Sequence, residues 1–370
     1  MSTSPLPPSR QGDKRPAAFS ARTATELYTI SYLIFFSLLG TLARLGLQAL
    51  TTYPGLPVLF PSAWPNLGGS FIIGFLAGDS SLFRAHHRRH ASDPEEGQEQ
   101  EQDHQKYKKT IPLYIGLATG FCGSFTSFSS FIRDAVLALT NDLGPDPALS
   151  GATPRNGGFS FMALLAVIIV TVSLSLCALV AGAHFALALQ PLLPSLAGHA
   201  RLRKTMDSLA IVVSWGCWIA ACLIAGFAPS EVWRGQVLFA LVFAPVGCLA
   251  RFYLSLALNG KLTPSFPVGT FTANILGTLV LAACWDVAHS GAGGIIGCQV
   301  LQGIEDGFCG CLTTVSTWVA ELVGLAAKRR RDAYVYGVAS VVAALAVAMA
   351  IMGGFRWSHG NLPQLLCLVR

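Results

Sequence analysis

The chain has 370 residues, of which 52% are hydrophobic and 12% are charged, and its formal net charge is +6. Soluble domains typically carry about 25% charged residues, so this composition excludes an ordinary soluble protein and indicates a helical membrane protein. The positive charge lies mainly between the apolar stretches and is explained by membrane orientation, so it does not indicate nucleic-acid binding.

Apolar stretches follow one another along the chain, and each is long enough to cross a bilayer. A transmembrane helix needs roughly 20 mainly apolar residues. We predict nine such spans, at 27–50, 60–78, 111–139, 160–188, 207–228, 235–258, 266–288, 294–327 and 334–354. The third and eighth spans are rich in Gly, Ser and Thr at their centres, which predicts a break in each helix.

The remaining segments are polar. Residues 1–26 are predicted to be a disordered cytoplasmic tail with no cleaved signal peptide, and 84–109 a disordered, low-complexity cytoplasmic loop. The histidines of that loop (His86, His87 and His90) have metal-ligand spacing, but a structureless loop lacks the fixed geometry that a metal site needs. The ten cysteines are scattered and mostly lie in apolar stretches, which gives no sign of a disulfide framework.

The distribution of Lys and Arg predicts the orientation. With the N-terminus in the cytoplasm, 18 of these residues fall in cytoplasmic segments, four fall outside, and three lie within spans. Cytoplasmic segments of membrane proteins carry an excess of Lys and Arg. This bias favours an odd number of spans, a cytoplasmic N-terminus and an extracellular C-terminal tail at 355–370.

The sequence contains an internal repeat. Three segments recur in the same order, at offsets of 207, 208 and 187 residues: Gly40–Arg44 as Gly247–Arg251, the stretch around Asn66 as that around Asn274, and Gly120–Phe131 as Gly307–Trp318. We predict an all-α membrane protein with two inverted four-helix repeats, the first copy at 27–188 and the second copy at 235–354. The linker 189–234 carries one further span, 207–228, which inverts the second copy. Such repeats place the functional site near the membrane midplane, at their interface.

Several polar residues within the spans are candidates for function, each with an alternative structural role. The Gly, Ser and Thr residues of the breaks either line a wet cavity or allow close helix packing. Asn66 and Asn274 either donate to an anion or hydrogen-bond between helices. Four residues are candidate vestibule or structural charges: Arg44 and Arg251, for which snorkelling anchors are the alternative, and Asp134 and Glu321, which are expected to pair with these arginines or to cap a broken helix.

The segments GFCGSFTSFSSF and GFCGCLTTVSTW resemble the signature of the CrcB/Fluc family of fluoride channels. A duplicated chain with one linking helix resembles the eukaryotic fluoride exporters (FEX) of this family, and the resemblance covers about 27–354. It implies a passive fluoride channel rather than an enzyme, located in the plasma membrane. It also implies a single chain that acts as a pseudo-dimer in the lipid bilayer and confers fluoride resistance.

The resemblance also assigns residues. It places the family's paired phenylalanines at Phe128 and Phe131, whereas the second copy has Val315 and Trp318 at the matching positions. It implies a structural sodium ion bound by backbone carbonyls near Gly123, Thr126, Gly310 and Thr313, and no other cofactor.

Fluoride is small and strongly hydrated, so a pore must replace its water with hydrogen-bond donors, and aromatic edges also attract anions. The second copy carries four polar residues at helical spacing, here called the second-copy polar track: Thr270, Asn274, Tyr336 and Ser340. We predict one competent pore that combines Phe128 or Phe131 with this track. Asn66, Ser129, Ser316 and Trp318 complete the predicted fluoride pathway.

Two other functions remain open at this point. A secondary transporter of another small ion or organic cation also uses inverted repeats and broken helices, and Glu305 and Asp306 precede the second GFCG segment. The first copy has Ala118 and Thr119 at the matching positions and so lacks the acidic residues that proton coupling would need, which disfavours a proton-coupled transporter. A membrane enzyme is disfavoured because His184 is isolated within its span and no cluster of acid and base residues accompanies it.

Overall fold

The computed structural model describes residues 15–53, 55–56, 58, 60–79, 82–83, 103–143, 155–192, 200–227, 234–260 and 265–359. The regular elements of these residues are all helical. Nine helices are labelled here: α1 (Arg15–Leu50), α2 (Ala63–Gly78), α3 (Pro112–Thr140), α4 (Gly157–Leu189), α5 (Ala200–Phe227), α6 (Phe239–Leu258), α7 (Val268–His289), α8 (Gly294–Lys328) and α9 (Arg330–Ser358).

Eight of these helices are long and apolar enough to cross a membrane. The exception is α2, whose 16 residues span about 24 Å at 1.5 Å per residue, less than the roughly 30 Å of a bilayer's hydrocarbon core. The chain is therefore an all-helical, multi-pass membrane protein. The predicted span 60–78 therefore stays a prediction, because its described helix begins at Ala63 rather than at residue 60.

The first helix begins earlier than the sequence predicted. Arg15 is its first residue, so 15–26 are helical although they were expected to belong to a disordered tail. This segment contains Ala, Arg and Glu, which are good helix formers and extend α1 beyond its apolar part. Residues 1–14 lie outside the described residues.

Part of the loop predicted to be disordered is also ordered. Residues 103–108 are helical, and the Lys108 side chain is fully buried. Its Nζ donates to the carbonyl oxygens of Leu76, Ala77 and Asp79 at 3.0, 3.0 and 2.7 Å. A cation favours the C-terminal end of a helix, where carbonyls lack partners, so Lys108 terminates α2. The histidine cluster at 86–90 lies outside the described residues.

Both predicted helix breaks are confirmed. In α3, Thr126 and Ser127 are extended, with φ/ψ of −95°/149° and −139°/120°. In α8, Thr313 has nearly the same conformation as Thr126, at −95°/154°. Each break divides its helix into an incoming segment (112–125 and 294–312) and an outgoing segment, called α3b (Phe128–Thr140) and α8b (Ser316–Lys328).

The outgoing segments pack against helices of the opposite copy. α3b contacts α7 and α9 besides α4 of its own copy, and α8b contacts α2 and α4 besides α9 of its own copy. The buried apolar core follows this exchange, since Phe128 and Phe131 share one cluster with Val315, Trp318 and Tyr336. The two copies are thus joined through their broken helices.

The linking helix α5 packs on the outside of this core, against α1 and α6. The indole N–H groups of Trp215 and Trp218 donate to Ser31 Oγ and the Val242 carbonyl at 3.3 and 3.0 Å. Its opposite side is exposed and apolar, with Val212 71% exposed, as expected of a surface that faces lipid. The helix therefore connects the copies without contributing to the breaks.

One cysteine differs from the others. Eight described cysteines are free, but Cys298, near the start of α8, is disulfide-bonded. Scattered cysteines at unequal spacing carry no pairing signal in a single sequence, so the sequence could not have indicated this bond.

Candidate functional site at the crossing of two helix breaks

The two breaks cap each other. Thr313 Oγ1 accepts hydrogen bonds from the backbone N–H groups of Phe128 and Ser129 at 3.1 and 3.0 Å. In the opposite direction, Thr126 Oγ1 accepts from the backbone N–H of Ser316 at 3.1 Å. The first N–H groups of a helix have no partner within that helix. Each threonine hydroxyl therefore satisfies the start of the outgoing segment in the other copy.

The predicted pathway residues Ser129 and Ser316 take part in this crossing. Ser129 Oγ lies 3.0 Å from Thr313 Oγ1, and Ser316 Oγ lies 3.0 Å from Thr126 Oγ1. All four side chains are fully buried. These hydroxyls join the two copies, which is a structural role, and their place in a fluoride pathway stays a prediction.

The two asparagines hydrogen-bond to the backbone of the breaks. Asn66 Oδ1 accepts from the Ser127 N–H at 2.9 Å, and its Nδ2 donates to the Ser127 carbonyl at 3.4 Å. Asn274 makes the same two contacts with the Thr314 peptide, at 2.9 and 3.4 Å. Each amide replaces the helical hydrogen bonds that the break removes. The interhelical role is confirmed, and each Nδ2 keeps a second N–H.

The two arginines are buried and bind carbonyl oxygens, which excludes the snorkelling alternative. Arg44 is 0% and Arg251 is 2% exposed. Arg251 donates from Nη2 to the Thr119 carbonyl at 2.6 Å, and Arg44 donates to the equivalent Asp306 carbonyl. Both carbonyls lie in π-helical turns, Gly116–Cys122 and Ile304–Cys309, which leave acceptors without the usual helical partner.

The guanidinium groups also explain two glycines. A Cβ atom at Gly123 or Gly310 would overlap the guanidinium of Arg251 or Arg44, respectively. Only glycine lets these side chains pass so close to the backbone. Arg251 Nη1 then donates to the Gly123 carbonyl at 2.6 Å and lies 3.4 Å from that of Thr313.

This arrangement bears on the sodium ion that the family resemblance implies. Backbone carbonyls of both breaks converge, and oxygen donors of this kind suit a small hard cation. The converging carbonyls of Gly123 and Thr313 are nevertheless already bonded to a guanidinium. A sodium ion beside this positive charge would be repelled in a low-dielectric interior. With the Arg251 guanidinium in this position, these carbonyls do not fit a sodium ion in addition to it.

The carboxylates have other partners than expected. Glu321 Oε1 accepts from Thr270 Oγ1, and Glu321 Oε2 accepts from the Tyr336 hydroxyl, both at 2.7 Å. Asp134 accepts from the Ser62 backbone N–H at 3.2 Å, at the start of α2. The expectation that these carboxylates pair with Arg44 and Arg251 is wrong. Spacing along a helix indicates a shared face but not which neighbouring helix meets it.

A charged group that the sequence analysis did not assign lies beside the first copy's outgoing segment. Arg133 is within 3.6 Å of Asp134 and 3.7 Å of Glu305. Asp306 in turn lies 3.9 Å from Arg44. The available signal was the position of Arg133 inside a span, where charged residues are costly and usually paired.

Aromatic rings meet on the other side of the crossing. Phe128 contacts Phe131 edge to face at a centroid distance of 5.5 Å and contacts Trp318 at 5.3 Å. Tyr336 lies in the same buried cluster. Within α9, Ser340 of the second-copy polar track donates to the Tyr336 carbonyl at 2.7 Å, and the combination of this track with Phe128 or Phe131 in one pore stays a prediction.

These features define a class: a multi-pass helical membrane protein whose two copies are locked together by reciprocal helix breaks. Comparison with known proteins then identifies the family. The family model described as "CrcB-like protein, Camphor Resistance (CrcB)" matches residues 31–183 and again 238–354. The two matched segments correspond to the two copies of the internal repeat.

Individual relatives agree. Fluoride export protein 1 of Neurospora crassa is 54% identical over 365 residues, which cover 92% of this chain and 69% of that protein. Fluoride export protein 1 of Candida albicans is 35% identical, covering 97% and 88%. Fluoride-specific ion channel FluC 2 of Rhodococcus jostii is 43% identical over 93 residues, 25% of this chain and 73% of that protein. No solved structure matches.

The chain belongs to the CrcB/Fluc family, as a duplicated fluoride exporter of the eukaryotic (FEX) type.

Proposed function

We propose that this chain is a passive, fluoride-selective channel that lets fluoride leave the cytoplasm and so confers fluoride resistance. One pore conducts, between α3b of the first copy and the second-copy polar track on α7 and α9. The named activity of the relatives supports fluoride as the ion.

The observation that carries the single pore is the unequal polar lining of the two sides. On the side of Phe128 and Phe131, Glu321 binds the hydroxyls of Thr270 and Tyr336. The helices α7, α8b and α9 thus contribute hydroxyl and carboxylate groups to the proposed pore. On the other side, α8b contacts α2 and α4, the second copy has Val315 where the first has Phe128, and α4 has no tyrosine.

The contacts of this lining suggest how fluoride passes. The Thr270 and Tyr336 hydroxyls donate to the Glu321 carboxylate beside the aromatic rings, so a fluoride ion that takes one of their hydrogens has to compete with that carboxylate. An anion bound by such groups is not trapped as it would be by a free arginine. Conduction requires binding strong enough to replace water and weak enough to release the ion.

A proteoliposome assay tests this proposal. Purified protein is reconstituted into vesicles loaded with fluoride, and release is followed with a fluoride electrode, with chloride release as the specificity control. Tyr336→Phe removes a hydroxyl from the proposed pore and should slow fluoride release at least about tenfold, the effect expected of a lost hydrogen bond to a charged group. The matched first-copy change, Thr171→Val, also removes a buried hydroxyl and should leave release unchanged. Equal losses in both variants would contradict the single pore.

Proton coupling is the second mechanism to consider, because Glu321 is a half-buried carboxylate with two hydroxyl donors at the proposed pore. Glu305 and Asp306 are poorer candidates, since each lies beside an arginine. A coupled transporter would accumulate fluoride in vesicles when only a proton gradient is applied. A passive channel would merely follow the fluoride gradient and the membrane potential, which is the result we expect.

The remaining assignments form part of the same proposal. The inverted orientation of the copies, a cytoplasmic N-terminus and an extracellular C-terminus are supported by the Lys and Arg distribution. One chain is proposed to act as a monomeric pseudo-dimer, because each break already finds its capping partner within the chain. The plasma membrane is the location that suits an exporter. At the crossing, Arg251 supplies the positive charge, and sodium is the alternative to be tested.

A further inference from the structure

Trp318 has a buried polar group without a partner. It stands where the first copy has Phe131, 187 residues earlier. The residue is 2% exposed, and its Nε1 has no hydrogen-bond acceptor among the residues that the structure describes. Buried tryptophan N–H groups usually find an acceptor, because leaving one unpaired is costly. The orphaned N–H therefore calls for a ligand.

The indole lies at the proposed pore. The centroids of its ring and of the Phe128 ring are 5.3 Å apart, at an interplanar angle of 72°. Its Cζ2 would be 3.9 Å from a Cβ atom placed on Gly337, the residue that follows Tyr336 in α9. Because Cζ2 and Nε1 belong to the same side of the indole, the N–H side of the ring lies near α9, beside the second-copy polar track.

The other donors of this wall are already engaged. The hydroxyls of Thr270 and Tyr336 donate to Glu321, and Ser340 Oγ donates to the Tyr336 carbonyl. Asn274 uses one amide N–H for the Thr314 carbonyl. An anion that enters must compete with protein acceptors for each engaged hydrogen. Only the second amide N–H of Asn274 and the indole N–H of Trp318 have no acceptor among the described residues.

We infer that the indole N–H of Trp318 binds fluoride in the pore. This assignment rests on the proposed function and deepens it. Trp318 is then a functional replacement of the phenylalanine in the first copy, not the remnant of a degraded aromatic pair. A hydrogen bond between an N–H and an anion is short and strong, and fluoride, as the smallest halide, forms the strongest one. The donor therefore favours fluoride over chloride.

Trp318→Phe tests the assignment because it restores the residue of the first copy and removes only the donor and the second ring. If the N–H binds fluoride, initial fluoride release from vesicles falls by roughly tenfold to a hundredfold, as expected for a lost bond to an ion. If Trp318 is a remnant, release is unchanged or faster, which would overturn the inference. The matched control is Trp218→Phe in α5, whose indole N–H donates to the Val242 carbonyl away from the breaks. Its fluoride release should equal that of the wild type.

A second measurement addresses a variant that fails to fold. The wild-type chain is labelled with ¹⁵N at its seven tryptophan indoles, and fluoride or chloride is added to it in lipid nanodiscs. We expect fluoride, but not chloride, to shift one indole N–H signal downfield, and that signal to be absent from Trp318→Phe. A Trp318 signal insensitive to fluoride would overturn the inference. No fluoride release from wild-type vesicles would overturn the proposed function and this inference together, whereas equal release by wild type and Trp318→Phe would overturn the inference alone.

Discussion

Replacing Thr313 by valine should destabilise the packing of the two copies against each other more than the loss of any other single hydroxyl. Valine has nearly the same shape as threonine, so the substitution leaves packing intact. It removes the oxygen that accepts from the backbone N–H groups of Phe128 and Ser129 and that lies 3.0 Å from Ser129 Oγ. These donors are fully buried, so water does not replace the lost acceptor.

The magnitude follows from the number of donors left without a partner. Each buried donor that loses its acceptor costs about 1–3 kcal/mol, so two backbone N–H groups cost about 2–6 kcal/mol. A change of this size is a large part of the 5–15 kcal/mol by which folded proteins are typically stable. We therefore expect the thermal midpoint of Thr313→Val in detergent to fall by about 5 °C or more.

The control is Thr29→Val in α1. Thr29 is also buried, but its hydroxyl only donates to the Thr25 carbonyl one turn earlier, and the change should cost less than about 1 kcal/mol. Fluorescence-detected size exclusion after heating gives both midpoints, and vesicle assays give fluoride release. If Thr313→Val and Thr29→Val have the same midpoint, the reciprocal capping of the breaks does not hold the two copies together.

Three further predictions concern the parts around the crossing. Gly310→Ala places a methyl group against a guanidinium and should abolish fluoride release, whereas Gly46→Ala, with nothing within 4 Å of the added Cβ, should leave release unchanged and raise the midpoint slightly. Fluoride release should persist when sodium is replaced by an organic cation on both sides, because Arg251 supplies the positive charge; loss of release would show that sodium binds there. Lys108→Met should lower the thermal midpoint by an amount equivalent to about 1–3 kcal/mol, whereas the exposed Lys106→Met should not change it, and equal midpoints would contradict the capping of α2.

The helix breaks could be predicted from sequence because the information is local. Glycine, serine and threonine are weak helix formers, and their concentration around Thr126 and Thr313 has no counterpart in the other apolar stretches. The duplication added a second, independent observation of the same pattern. The positions of Asn66 and Asn274 relative to the breaks followed from the same repeat, although their exact contacts did not.

The partners of the buried charges could not be predicted in this way. Arg44 and Arg251 bind carbonyl oxygens that π-helical turns release, and a π turn has no side-chain signature that a single sequence reveals. Glu321 binds hydroxyls of two other helices, and Asp134 binds the beginning of a third. Such pairings depend on which helices meet, which the spacing of residues along one helix does not determine.

The reciprocal caps also explain how the two copies could diverge in one place and not in another. Each outgoing segment depends on the threonine of the opposite copy, so a change at Thr126 or Thr313 damages both halves at once. Phe131 and Trp318 lie beyond the crossing and cap nothing, so they were free to differ after duplication. A fused chain thereby keeps two equivalent breaks as scaffold while specialising the walls around them. Substitutions at the crossing should accordingly impair stability and conduction together, whereas Trp318→Phe should impair conduction alone.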